Sequence, residues 1–169
     1  MEIIDYNGTG RWSRQAILER YGTYAQQLRV SQPLDLAPRE YKERQRRWVY
    51  PVMDEVIKGI EIGDEACIKI GVEFMEEDER FSFGRTIKSN TVRALRRAVL
   101  TSEQVERIRR RVAQMLIAEH VPRAYQEYAK LLRKVGLGEW WPFIEERTNR
   151  DNLHVLRYYN YFQQYVRPE

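Results

Sequence analysis

An all-α fold, made of antiparallel helical hairpins packed as a bundle or a short solenoid-like stack, is what this sequence of 169 residues predicts. Three observations point to it. Apolar residues recur every third or fourth place from about Phe83 onward, the period of one helical face. Capping residues open those stretches, and glycine or proline closes them. The connections are short, which favours antiparallel neighbours. A period-two stretch near 56–74 leaves a small β-hairpin as the exception.

Residues 1–12 read as a loose lead-in, and 13–169 as a single helical domain. Ser13 caps a helix "SRQAILERYGTYAQQL", with Ile17, Tyr21, Tyr24 and Leu28 on one face. "VSQPLDLAPRE" holds two prolines and connects. Pro38 suits the first turn of a next helix, "REYKERQRRWVY", which offers Tyr41, Trp48 and Val49 for packing. Pro51 kinks that helix or begins another, because it lacks an N–H.

"GIEIGDEACIKIGVEF" admits two readings. Alternating Ile60, Ile62, Ile68, Ile70, Val72 and Phe74 about Gly63-Asp64 suits a hairpin. A helix capped by Asp64 puts Cys67, Ile68, Gly71, Val72 and Met75 toward the core. A lone hairpin is marginal and no partner strand is evident, so the helix is preferred.

Beyond Phe83 the stripes are clear. Ile87, Thr91, Ala94, Leu95 and Ala98 share one face. Thr101 and Gln104 have capping-box spacing ahead of Val105, Ile108, Val112, Met115 and Leu116. Pro122 opens a helix with Tyr125, Tyr128, Leu132 and Val135, and Gly136 stops it. Pro142 starts a short helix through Arg147. The last helix carries Leu153, Leu156, Tyr159, Phe162 and Val166, with Pro168 beyond it. A shift of 37 residues lays "ALRRAVL" over "LLRKVGL", and 64–98 over 101–135, as a helical repeat would.

Composition excludes several function classes. Hydrophobic residues are 43% and charged residues 32%, a globular rather than disordered balance. The single cysteine, Cys67, cannot form an internal disulfide, and no basic-then-apolar leader opens the chain. With no apolar run of about 20 residues, the expectation is a cytoplasmic protein with no membrane role. Two histidines and one cysteine form no zinc-type cluster, and Asp151 with His154 at i, i+3 fits helix capping better than a metal pair. No nucleophile elbow and no phosphate-loop glycine pattern occurs. Cys67 sits among apolar neighbours and reads as an inert buried thiol. "EFMEEDER" reads as a solvated helix end. No catalytic residue, metal ligand or cofactor is therefore assigned.

Two surfaces remain. From Arg85 to Arg111 there are nine basic residues against two acidic ones, whereas Asp64 to Glu79 has seven acidic against one basic. Helical geometry turns most of the basic side chains outward. They either pair with the acidic segment or stay open to phosphate or an acidic partner, through Arg85, Lys88, Arg93, Arg96, Arg107, Arg110 and Arg111. The second surface is aromatic: Trp140, Trp141, Phe143, Tyr158 and Tyr159 exceed what one helical face can bury. The expected function is a non-catalytic helical scaffold or adaptor that binds a protein partner. The alternative is nucleic-acid binding by the basic two-helix face. Homodimerisation through the last helix is a further alternative.

Overall fold

The computed structural model describes residues 1–78 and 83–166, and it is mostly helical, 62% helix and 7% strand. The chain divides into two compact units, residues 1–99 and 100–169. Glu79 of the acidic run and Pro168 lie outside the described residues.

The first unit corrects two expectations and decides a third. Residues Glu2–Asp5 are not a loose lead-in; they form strand β1. The segment expected to be a helix at 39–50 is a hairpin of β2 (Glu40–Glu43) and β3 (Arg46–Val49). The sheet order is β1-β3-β2, with β1 parallel and β2 antiparallel to β3. The physical reason is spacing. Tyr41, Trp48 and Val49 would be seven and eight apart on a helix, and Arg44 and Gln45 supply nothing apolar on the turn between them. As strands, the same residues meet directly: Tyr41 faces Trp48, and Glu40 forms a bidentate pair with Arg47. Arg44 takes a left-handed backbone at φ 54° to close the turn.

The possible hairpin near 56–74 is instead two helices. After helix α1 (Arg14–Gln27) and the sheet come α2 (Val52–Glu61) and α3 (Glu65–Glu76). Pro51 stands at the N-cap of α2, so it begins a helix rather than kinking one. Gly63, at φ 83°, follows the end of α2, and Asp64 caps α3 by accepting the Cys67 N–H at 2.9 Å. Alternation misleads here because α3 is buried nearly all round: Ala66, Cys67, Ile68, Ile70, Val72, Phe74 and Met75 are all core. A helix apolar on every side shows no clear period. Helix α4 (Gly84–Arg97) packs on both, burying Ile87, Thr91, Val92, Ala94 and Leu95.

The second unit holds α5 (Ser102–Ile117), α6 (Tyr125–Val135), α7 (Trp141–Arg147) and α8 (Leu153–Gln163). Thr101 and Gln104 form the complete capping box. Ile108, Val112, Met115 and Leu116 are buried against α6, as their spacing predicts. Leu153 departs from its expected stripe and is 77% exposed, because Asn152 caps α8 and places Leu153 on the open first turn. Val155 takes the core position instead.

Candidate functional site

The cations of the basic stretch are divided by the fold. Arg85, Lys88, Arg93 and Arg96 belong to α4 in the first unit; Arg107, Arg110 and Arg111 belong to α5 in the second. Arg85, Arg93 and Arg110 are exposed; Arg96, Arg107 and Arg111 are half-buried. Lys88 was expected on the open face, and the structure corrects this. It is buried, and its Nζ donates to the Phe74 and Glu77 carbonyls at the C-terminal end of α3 while lying 3.9 Å from the Phe74 ring centre. The Phe74 carbonyl also accepts from the Glu77 N–H at 3.3 Å, and a cation at a helix C-terminus meets the negative end of its dipole. Arg109, not singled out from the sequence, does similar work in the second unit. Its Nε and Nη2 donate to Gly136 O at 2.7 Å and Val135 O at 2.9 Å, where α6 ends.

The acidic segment finds its partners far back in the chain. Glu73 is buried and accepts from Tyr24 Oη at 2.6 Å, Arg20 Nη1 at 3.2 Å and Arg11 Nη2 at 3.3 Å. Glu77 accepts from Trp12 Nε1 at 2.6 Å and pairs with Arg11. Arg20 also stacks 4.3 Å from the Trp12 ring centre. These acids therefore anchor the N-terminal segment. Burial and the bond to Glu73 push the Tyr24 hydroxyl pKa up.

Cys67 is buried, and desolvation drives its thiol pKa far upward, away from the reactive thiolate. Asp64, which caps α3, also accepts from Tyr21 Oη at 2.8 Å. Asp151 and His154 are exposed, and among the described residues no three His, Cys, Asp or Glu side chains gather as a metal site would need. No helix of the described residues is long and apolar enough to cross a membrane.

Two of the concave surfaces among the described residues join the candidate residues. In the first unit a cleft of about 490 Å³ is lined by Arg39, Tyr50, Asp54, Lys58, Arg93 and Arg97, among others. Arg39 lies 4.6 Å from the Tyr50 ring centre. Burial raises the Asp54 pKa, against the opposing pull of Arg39. The sequence reading missed this cleft because its parts come from the hairpin, α2 and α4. In the second unit Val135, Leu137, Trp141, Pro142 and Tyr165 line a groove of about 640 Å³, with Arg109 in its wall.

The aromatic candidates divide in the same way. Tyr159 is buried, 5.3 Å from the Trp141 ring, and Tyr158 meets Tyr125 edge-on at 4.7 Å. Tyr159 packs the interior of the second unit, and Tyr158 is half-buried. Trp140 and Trp141 are half-buried, and Phe143, 5.6 Å from Trp140, is 43% exposed. Phe143 is thus the exposed member of the five, with Trp140, Trp141 and Tyr158 half-buried. Compared with protein-family models, curated proteins and solved structures, the chain matches none.

Proposed function

We propose that the chain is a non-catalytic helical scaffold or adaptor that binds a protein partner through the aromatic corner of its second unit. One observation carries the reading: Trp141 and Pro142 line an open groove beside the exposed Phe143. Trp, Tyr and Arg are the residue types that concentrate binding energy at protein contacts, and here Trp141, Tyr165 and Arg109 share one groove wall. Arg109 is already fixed by two carbonyls, so little side-chain entropy remains to be lost on binding. The finer architecture belongs to the same proposal. Helices α3–α4 in the first unit and α5–α6 in the second are each an antiparallel hairpin of one repeated motif, a reading supported by Asp64 and Thr101, which cap α3 and α5 alike at a spacing of 37 residues. A cytoplasmic location is proposed with it.

The test uses the full chain as bait, with partner retention read at rising salt. An apolar aromatic contact survives moderate salt, and Phe143→Ala with Trp140→Ala removes it while the helical signal stays intact. Retention unaffected by both substitutions overturns the aromatic corner. The second reading, nucleic-acid binding, rests on the exposed Arg85, Arg93 and Arg97 along α4. It requires retention on duplex DNA that collapses steeply with salt, and loss on Arg93→Glu.

A further inference from the structure

The sheet of the first unit ends in an edge whose backbone groups face outward. The Tyr50 N–H donates to Arg39 O at 2.9 Å, which sets the phase of the β2–β3 ladder. Bonded positions alternate in an antiparallel pair, so Tyr41 and Glu43 also turn their backbone groups toward β3. Glu40 and Lys42 turn theirs away. No described residue bonds to that edge, and every residue of β2 is exposed.

The side chains add a second asymmetry. Lys42 stands directly across from Arg47, a like charge, while the carboxylate that satisfies Arg47 is Glu40. Lys42 has no ion pair among the described residues. On the opposite face Ile4, Trp48 and Tyr41 form one cross-strand row, with Tyr41 and Trp48 rings 5.4 Å apart. Tyr41 ends that row 52% exposed.

We propose that β2 pairs with β2 of a second copy of this chain, antiparallel, about a two-fold axis through Tyr41. Outward-turned backbone groups can bond only to outward-turned ones. Three registers follow near the centre of the strand. Glu40 opposite itself and Lys42 opposite itself place like charges across the axis, which destabilises a strand pair. Glu40 opposite Lys42 places opposite charges across it twice and sets Tyr41 against its symmetry mate. That register makes four backbone hydrogen bonds, two at each Glu40–Lys42 pair. It joins two three-stranded sheets into one and gives Lys42 the carboxylate it lacks within its own chain. The aromatic row becomes continuous from one copy to the next.

The experiment is analytical ultracentrifugation of the full chain from micromolar to millimolar concentration. A reversible monomer–dimer equilibrium is expected. Lys42→Glu sets two carboxylates face to face and weakens the dimer at least tenfold. It leaves the hairpin intact, because the new carboxylate stands opposite Arg47. The swap Glu40→Lys with Lys42→Glu restores dimerisation. Tyr41→Cys gives a covalent dimer on oxidation, since facing residues of this kind lie about 4.5 Å apart at Cα, within disulfide reach. The buried Cys67 does not compete. Phe143→Ala leaves the dimer unchanged, which separates this interface from the aromatic corner. A wild-type chain that stays monomeric throughout, a Lys42→Glu dimer as tight as wild type, or a swap that fails to restore pairing overturns the proposal.

Discussion

Tyr21 and Asp64 illustrate how single side chains of this protein are committed to structure. Tyr21 is buried, donates to Asp64 and accepts from the Leu34 N–H at 2.8 Å. Burial, with the Asp64 contact adding to it, pushes the Tyr21 pKa from 10.0 up to about 12. The folded state thus holds this proton more tightly than the unfolded chain does. The stabilisation is complete below pH 10 and is lost as pH rises through about 12. It amounts to about 2–3 kcal/mol at most. Denaturant titrations at pH 8 and pH 11 check this. Wild type loses more stability between the two than Tyr21→Phe, which starts less stable because Asp64 and Leu34 lose a partner. Equal losses would remove Tyr21 from the pH dependence.

Among the elements, α2 and α3 approach most tightly through Gly59. A Cβ there would meet the Cys67 Sγ, and it would come within 2.9 Å of the Cys67 Cβ. Gly71 plays the same part toward Ile60, at 2.7 Å. Glycine is a poor helix former, so its presence inside two core helices answers to close packing. Gly59→Ala is expected to destabilise the protein by about 1–3 kcal/mol, the usual range for overpacking. Adding Cys67→Ala removes the sulfur and recovers part of that loss, so the double variant melts above the sum of the singles. Thermal melts of the three variants decide it. Additive losses would show that Cys67 is not what the new methyl meets.

At the level of the molecule, each unit has its own core. Trp12, Ile17, Phe74, Met75 and Leu95 are buried in the first; Ile108, Leu116, Tyr125, Ile144 and Phe162 in the second. The polar network that ties Arg11, Arg20 and Tyr24 to Glu73 lies wholly within the first unit. A fragment of residues 1–99 is therefore expected to fold alone, with helical circular dichroism and a cooperative melt. A fragment without a cooperative transition would show that the unit needs the rest of the chain. Glu73→Ala in that fragment should sharply lower the transition, because Arg20, Arg11 and the half-buried Tyr24 hydroxyl lose this acceptor.

Local patterning determines most of the helical part of this fold. Stripes three and four apart, with caps at Ser13, Asp64 and Thr101, are written along the chain because a helix satisfies its backbone within itself. The core faces of α4, α5 and α6 could largely be named from them, whereas on α1 only Ile17 and Tyr21 of the expected face are buried, Leu28 is exposed and Ala25 takes the core place. The sheet could not. Its strands are four residues each, two are almost wholly exposed, and β1 pairs with a strand more than forty positions away. Strand pairing depends on partners that no local window contains. The same holds for the charges. Lys88 and Arg85 look alike on a helical wheel's margin, but only Lys88 has carbonyls at a helix end to receive it. Which cations face outward and which are spent inside is decided when distant elements meet, because an ion's role depends on what it touches rather than on its place in the chain.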